Sequence, residues 1–493
     1  MTCAIQSLDF SGLEESVAAP ILETEGIALV AAGSLICLRS LYLEAQRKGA
    51  LKRFYPCMMT ENDYVLGNSE KIKAMLEMAA AAEDIRGIVF YVSCLEVISG
   101  MDLEEVLRKA DNPKGKPVRI LQRGPMVKRR KKPREERDSI LKELLSYPTI
   151  SDNGSSEKMS PTGGEIMPVM APDIAAVFSM LQTFPVDQLL ITPGGCGRCL
   201  DLSTEIHKSH GMYRTSFNDL DVCSGFSSHL QQLLNENFPS EKMLCCLFGS
   251  VTKMSGIEQT LFLRHNQREI FYTDGFHYGV KAAAEALKIM GERFAEKHRL
   301  QPGGHTILIL GHYPLGTACR QYYTRAVEQI KKQGFDCVHL FQLWELDTLP
   351  EICSLWPWNL EGSCLAETWC QKWHIPIYQE LHPVSEEVFP KIKKGAKMLI
   401  MTEALLGSRL KKYYEKQGIS VELGLYAPDM ETREFYETFL MEEIFYFSEL
   451  HELERLMGDK DVVLADRVFS EYVCDKRCVF FEITYPMIGG SLL

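Results

Sequence analysis

The feature that most constrains this chain is a repeat. Residues 27–37 read as a short, continuously apolar strand that runs into Gly33 and ends at Cys37, and residues 188–196 follow the same order through Gly194 and Gly195 to Cys196. Each copy continues through a helix-like stretch into an acidic segment closed by glycine: residues 60–67, with Asp63 and Gly67, and residues 218–225, with Asp221 and Gly225. The spacing from cysteine to aspartate agrees to within one residue. An amphipathic helix pattern follows each, at residues 72–78 and 230–234. A third match pairs the apolar run 88–94, with Ser99-Gly100 beyond it, with residues 243–250 and Ser255-Gly256. Aligned on the Ser-Gly pairs, Cys94 stands opposite Ser250. Self-similarity in constant order marks a repeated supersecondary unit, so residues 1–125 and 166–262 are predicted to be two copies of one strand–turn–helix module.

Past residue 262 the pattern becomes plain alternation of strands and helices. Residues 306–311 form a buried-strand pattern, a loop with Gly316 follows, and residues 318–332 read as a helix stopped by Gly334. A second such unit begins at 397–401, passes through a helix at 405–416 to a strand at 419–423, and adds strands at 462–465 and 479–483. Strands alternating with helices predict parallel, doubly wound sheets. The expected fold class is α/β, several Rossmann-like modules in series, with Rossmann-like domains over 263–390 and 391–493. Residues 126–165, which carry Lys128-Arg129-Arg130-Lys131-Lys132 and a Ser/Gly-rich stretch, read as a solvated linker.

Composition narrows the setting. With 493 residues, 46% of them hydrophobic, the chain can fill several cores. No stretch reaches the roughly 18–20 apolar residues that span a bilayer, and no signal pattern opens the chain, so a cytosolic address with no membrane contact is expected. A net charge of −12 disfavours a nucleic-acid surface, the 128–132 cluster being the one local exception. In that reducing setting the sixteen cysteines are predominantly buried thiols. Cys196-Gly197-Arg198-Cys199 is a lone C-x-x-C without the second pair a structural zinc site wants, leaving zinc and a redox dithiol as minor readings. Gly311-His312-Tyr313-Pro314-Leu315-Gly316 follows a buried strand as a phosphate loop would, but lacks G-x-G-x-x-G, so a substrate cleft is the alternative. His207 and His210 read as cations at a helix end.

Taken in order, these segments resemble the component 1 proteins of nitrogenase and of the nitrogenase-like tetrapyrrole reductases. That family carries His-Gly-Pro-x-Gly-Cys, then an acidic stretch ending in glycine, then Ser-x-Cys followed by Ile-Gly-Asp-Asp. Here stand Ala32-Gly33-Ser34-Leu35-Ile36-Cys37, Glu61 to Gly67, and Ser93-Cys94 with Ile98-Ser99-Gly100-Met101-Asp102. Later, His374-Ile375-Pro376 resembles the family's Gly-Ile-Pro and Thr484-Tyr485-Pro486 its terminal Gly-Tyr-Pro. The chain departs at the turn histidine, which is Ala32 in one copy and Thr192 in the other. Trp358 stands where the cofactor cysteine aligns, and no histidine follows Pro486. No molybdenum–iron cofactor is therefore expected.

What the resemblance implies is an iron–sulfur site. In the family three cysteines per subunit point at an interface between related subunits; the first copy keeps Cys37 and Cys94, with Cys3 a displaced third, and the second keeps Cys196. The two copies are expected to face each other as paired subunits do, with Cys37, Cys94 and Cys196 converging and Cys3 completing a [4Fe–4S] set. The implied function is an oxidoreductase subunit that receives low-potential electrons from an ATP-dependent iron–sulfur reductase, as a homodimer or in a heteromer with a related subunit. A non-catalytic scaffold or chaperone for metallocofactor assembly is the alternative, and a plain binding protein the third reading.

Overall fold

The computed structural model describes residues 4–8, 16–124, 127, 131–147, 167–193, 200, 211–217, 221, 227–238, 243–256, 268–378, 388–440, 443–473 and 477–490. A short strand β1 (Ala4–Ser7) precedes the first repeat copy, whose strands are β2 (Ile27–Gly33), β3 (Phe54–Met58), β4 (Gly87–Val92) and β5 (Val118–Gln122). The second copy supplies β6 (Asp187–Ile191), β7 (Met212–Ser216), β8 (Leu244–Phe248) and β9 (Arg268–Phe271). The first sheet runs β3-β2-β4-β5 and the second β7-β6-β8-β9, with β1 added at the β7 edge. Every pair is parallel except β1 with β7.

The ladders of the two sheets keep a common register. Leu29 opposes Phe54 as Gln188 opposes Met212, Ala28 opposes Ile88 as Asp187 opposes Leu244, and Ile88 opposes Val118 as Leu244 opposes Arg268. A one-residue slip would turn every side chain to the other face of its sheet, so a common register means a common inside and outside. Beyond β4 and β8 the chain makes two five-residue helices, Cys94–Ile98 and Ser250–Met254, each closed by serine and a left-handed glycine, Gly100 at φ 69° and Gly256 at φ 65°. Cys94 and Ser250 are both the first residue of their helix. Ala28, Val30, Ile88 and Phe90 share one hydrophobic core with Leu189, Ile191, Cys246 and Phe248, each buried aliphatic or aromatic side chain being worth about 1.5–3 kcal/mol over exposure.

Three expectations are corrected. The second copy does not stop at 262, because β9 completes its sheet. The N-terminal strand joins the second copy's sheet, not the first. The segment taken as linker contains a helix, Pro133–Ser146, which buries Ile140, Leu141 and Leu144 and packs on β4 and β5. Pro133 opens it, where a missing N–H costs nothing.

Contacts divide the chain into two units, one within 1–174, 187–201 and 211–277, the other within 175–186, 202–210 and 278–493. The second unit holds two parallel sheets. One is three-stranded, β11-β10-β12, from β10 (Pro302–Leu310), β11 (Asp336–His339) and β12 (Ile352–Pro357). The other is five-stranded, β15-β14-β13-β16-β17, from β13 (Lys397–Met401), β14 (Ser420–Tyr426), β15 (Phe445–Phe447), β16 (Val462–Ala465) and β17 (Val479–Glu482). In each the first strand is central and the chain later crosses to its other side, the doubly wound plan whose strand ends expose functional groups. Among the described residues no helix is long and apolar enough to cross a membrane.

Candidate functional site

Within the first unit the two copies meet where β2, β4 and β8 hand over to helices. Ser34 is the N-cap of the helix Leu35–Arg47, which places Cys37 in its first turn. Ser93 N-caps Cys94–Ile98 in a capping box with Glu96. The two cysteines expected on strand-end turns are thus in first helical turns. Gly33 lies between Cys37 and Ser93: a Cβ there would stand 3.1 Å from Cys37 Cβ and 3.6 Å from Ser93 Cβ. Across the seam Ser250 Oγ donates to Ser34 Oγ at 2.9 Å, and Ile36 N donates to Gly275 O at 3.1 Å. Ser34 Oγ in turn lies 3.8 Å from Cys37 Sγ as donor. Each copy covers its short helix with a positive-φ glycine from beyond its last strand. A Cβ on Gly124 would fall 2.0 Å from Cys94 Sγ, and one on Gly275 would fall 2.8 Å from Ser250 Oγ.

Buried polar groups wall this seam. Glu96 is fully buried and its carboxylate accepts from Ser93 N at 2.7 Å, Ser93 Oγ at 2.6 Å and the Tyr64 hydroxyl. Burial, then the charge of Glu96, holds the Tyr64 hydroxyl well above its usual range, with Cys37 adding to the effect. Cys57, on β3, is pushed up to about 12 by burial and then by Glu96, so it stays a thiol. On the far side of Gly275, Asp173 accepts from Ile174 N at 2.6 Å, Asp274 N at 2.8 Å and Gly275 N at 2.9 Å. Burial, with Asp274 beside it, raises its carboxyl to about 7. Asp274 is itself buried, but hydrogen bonds from His277 and the Phe276 amide outweigh that and hold it low. Donor atoms of Asp173, Asp274 and His277 all lie within 4.8 Å of one another. Sequence reasoning missed this trio because Asp173 is about a hundred residues from its partners, and its visible work is to fix the Gly275 loop by backbone bonds.

Of the predicted site residues, Cys37 and Cys94 reach the seam; Cys196 and Cys3 lie outside the described residues, as do Cys199, His207 and His210. Cys245 and Cys246 are core residues of β8 whose thiols burial drives upward, the second to about 12, so they stay protonated.

In the second unit the loop after β10 is no phosphate cradle. A Cβ on Gly311 would sit 1.9 Å from Asn359 Oδ1, and the amides that open the helix Leu360–Trp373 are already taken. Glu403 Oε1 accepts from Leu360 N at 3.0 Å, and Asn359 Oδ1 accepts from Gly362 N at 3.0 Å. The protein's own acceptors fill the place where a bound anion would sit. Tyr313, from the same loop, donates to Glu361 Oε1 at 2.6 Å. Glu361 is fully buried, its other oxygen has no partner, and burial, reinforced by Glu403, raises its carboxyl to about 8. Trp358, 3% exposed, lies against Tyr322, Tyr323 and Trp356 at ring separations of 5.5, 4.6 and 5.6 Å. Arg409 ties the carbonyls of Pro357 and Trp358 from behind at 2.7 and 3.3 Å. Trp358 is therefore aromatic core.

Among the described residues, fold and site define an α/β protein of four largely parallel, Rossmann-like sheets, two of which share one register and meet at a cysteine-bearing seam. No family model matches the chain, and no curated protein matches it. Among solved structures it is similar to one described as nitrogenase Cp1 at pH 6.5, at 11% identity and a TM-score of 0.44, over 68% of this chain and 89% of that one.

Proposed function

We propose that the seam of the first unit holds an iron–sulfur cluster and that the chain works as a nitrogenase component 1-like oxidoreductase subunit. The observation that carries this reading is that Cys37 and Cys94 stand in the first turns of two helices that follow the paired strands β2 and β4, with Gly33 between Cys37 and Ser93, the cap of the Cys94 helix. The donor set suits the group: two thiols in rigid first turns, backed by glycines that leave no Cβ in the way, with serine hydroxyls as hydrogen-bond donors. Thiolates of Cys37 and Cys94 would hold the cluster, joined by Cys196 and Cys3 in the full set. When bound, the cluster supplies one-electron transfer at low potential. The chain's own residues would orient it and exclude water, with Glu96, Ser93 and Tyr64 fixing the turn that carries Cys94.

The electron donor in this reading is an ATP-dependent iron–sulfur reductase in the cytosol, and the chain pairs with itself or with a related subunit. A scaffold or chaperone role in metallocofactor assembly is the second reading, favoured by the aromatic packing of Trp358, which leaves the aligned cofactor position filled. Anaerobic purification with iron and sulfide analysis tests the proposal. About four irons per chain fits a within-chain cubane and about two a cluster shared by a homodimer. Cys94→Ser should abolish cluster absorbance while circular dichroism stays native. A wild-type protein without iron after anaerobic reconstitution would refute the reading. Transfer of the cluster to an apo acceptor, without reduction by the reductase, would select the scaffold role.

A further inference from the structure

The second unit carries a concentration of positive charge in a chain whose net charge is −12. Residues 391–397 hold four lysines and no acid, and residues 411–417 hold three lysines and Glu415. The fold brings the two segments together. The first is the loop that enters β13, and the second is the last turn of the helix Ala404–Glu415 with the chain just past it. The Tyr414 hydroxyl donates to Pro390 O at 2.9 Å, Gly395 N donates to Gly418 O at 3.0 Å, and Ala396 N closes the loop on Lys393 O at 3.1 Å. A Cβ on Gly418, which is left-handed at φ 79°, would stand 3.0 Å from Lys394 Cε, so glycine leaves the room in which the Lys394 side chain lies across the helix end.

Between the two segments is a cavity of about 210 Å3 lined by Phe389, Pro390, Lys391, Ile392, Tyr413 and Gln417. Two of the seven lysines are engaged elsewhere: Lys397 Nζ meets Asp459 at 2.9 Å, and Lys411 Nζ donates to the Glu443 carbonyl at 3.1 Å. Lys391 lines the cavity, and Lys393, Lys394, Lys412 and Lys416 are exposed on the segments that form it. Lysines near a helix C-terminus commonly serve its last carbonyls. Here the chain's own amides do that: Tyr414 O accepts from Gln417 N at 3.0 Å and Ile419 N at 3.2 Å, and Glu415 O accepts from Gly418 N at 2.9 Å.

We propose that this cavity binds a small phosphate-bearing molecule. A concave site rimmed by charge of one sign focuses its field and gathers counter-ions. Neither segment contains arginine, whose planar fork matches a carboxylate; the compact ammonium of lysine meets a phosphate as a point charge, from any side. Phe389, backed by the Tyr322 ring at 5.4 Å, forms an apolar wall with Pro390 and Ile392, which suits the organic part of an ester. The site lies at the amino end of β13, whereas doubly wound sheets gather their reacting groups at the carboxyl ends. Its ligand is therefore an effector rather than a substrate, and the inference stands whether or not the seam holds a cluster.

The test is calorimetric titration of the full chain, at constant ionic strength, with inorganic phosphate, ribose 5-phosphate, AMP and uncharged adenosine, joined by tryptophan-fluorescence melts. The phosphate esters should bind one per chain and raise the melting midpoint of the second unit. Adenosine should not bind, and ester affinity should fall as salt is added. Lys391→Gln and Lys394→Gln should each weaken ester binding about tenfold, the loss of one charge-assisted hydrogen bond. Lys332→Gln, which removes the same charge from another exposed helix end of the unit, should leave binding unchanged. Inorganic phosphate binding as tightly as the esters supports the proposal with free phosphate as the ligand; tighter esters support it with the apolar wall in use. Failure of all three phosphates to bind, equal weakening by Lys332→Gln, or binding of an oligo-glutamate peptide in their place would overturn it.

Discussion

The sharpest energetic consequence of the structure concerns Glu361 rather than the cysteines. Its carboxyl is fully buried, one oxygen accepts from Tyr313 and the other has no partner, and burial with Glu403 nearby raises it from 4.5 to about 8. A carboxyl raised in the folded state keeps its proton there after the unfolded chain has lost it. Its stability contribution is intact below pH 4.5 and is lost as pH rises toward 8, where both states are ionised and the folded one holds an unpaired buried charge. Each pH unit in that window is worth about 1.36 kcal/mol, so between pH 5 and pH 8 the loss is on the order of 4 kcal/mol. Glu361→Gln keeps the shape and the Tyr313 bond but cannot titrate. The five tryptophans fall at 344–373, inside the second unit, so their fluorescence in urea melts reads that unit alone. Relative to wild type, the variant should gain about 4 kcal/mol between pH 5 and pH 8, whatever constant cost the amide carries. Parallel pH profiles for the two proteins would show that Glu361 is not the buried proton holder.

Other outcomes follow from the packing. Gly124→Ala drives a Cβ to 2.0 Å from Cys94 Sγ at φ 120°, and should cost about 1–3 kcal/mol by overpacking plus backbone strain. Gly100→Ala, at φ 69° in open space, should cost only about 1 kcal/mol, and equal losses in thermal melts would dismiss the close approach. Trp358→Ala should lower the stability of the second unit by about 3–5 kcal/mol, the cost of an aromatic-sized cavity. A loss below about 1 kcal/mol would mean the ring packs loosely enough for the site to have been open.

The sequence by itself determined the repeat, the strand positions and the doubly wound alternation, because each is written in local periodicity, in glycine stops and in caps within a few residues. That Cys37 and Cys94 follow apolar strands was legible for the same reason. The helix Pro133–Ser146 was legible in principle: Pro133 at its start and Ile140, Leu141 and Leu144 on one face were outweighed by the surrounding charge. What only tertiary structure decided is which distant groups touch. The pairing of β1 with β7, the bond between Ser34 and Ser250, the Asp173–Asp274–His277 cluster, the approach of Glu403 to the helix that carries Glu361, and the burial of Trp358 all join residues far apart in the chain. Local pattern states that a residue faces inward but not what it meets there. Sheet order and register, set by the collective burial of several strands, choose the partner, and the partner sets whether a buried serine, glutamate or tryptophan serves as hydrogen-bond bridge, proton store or core.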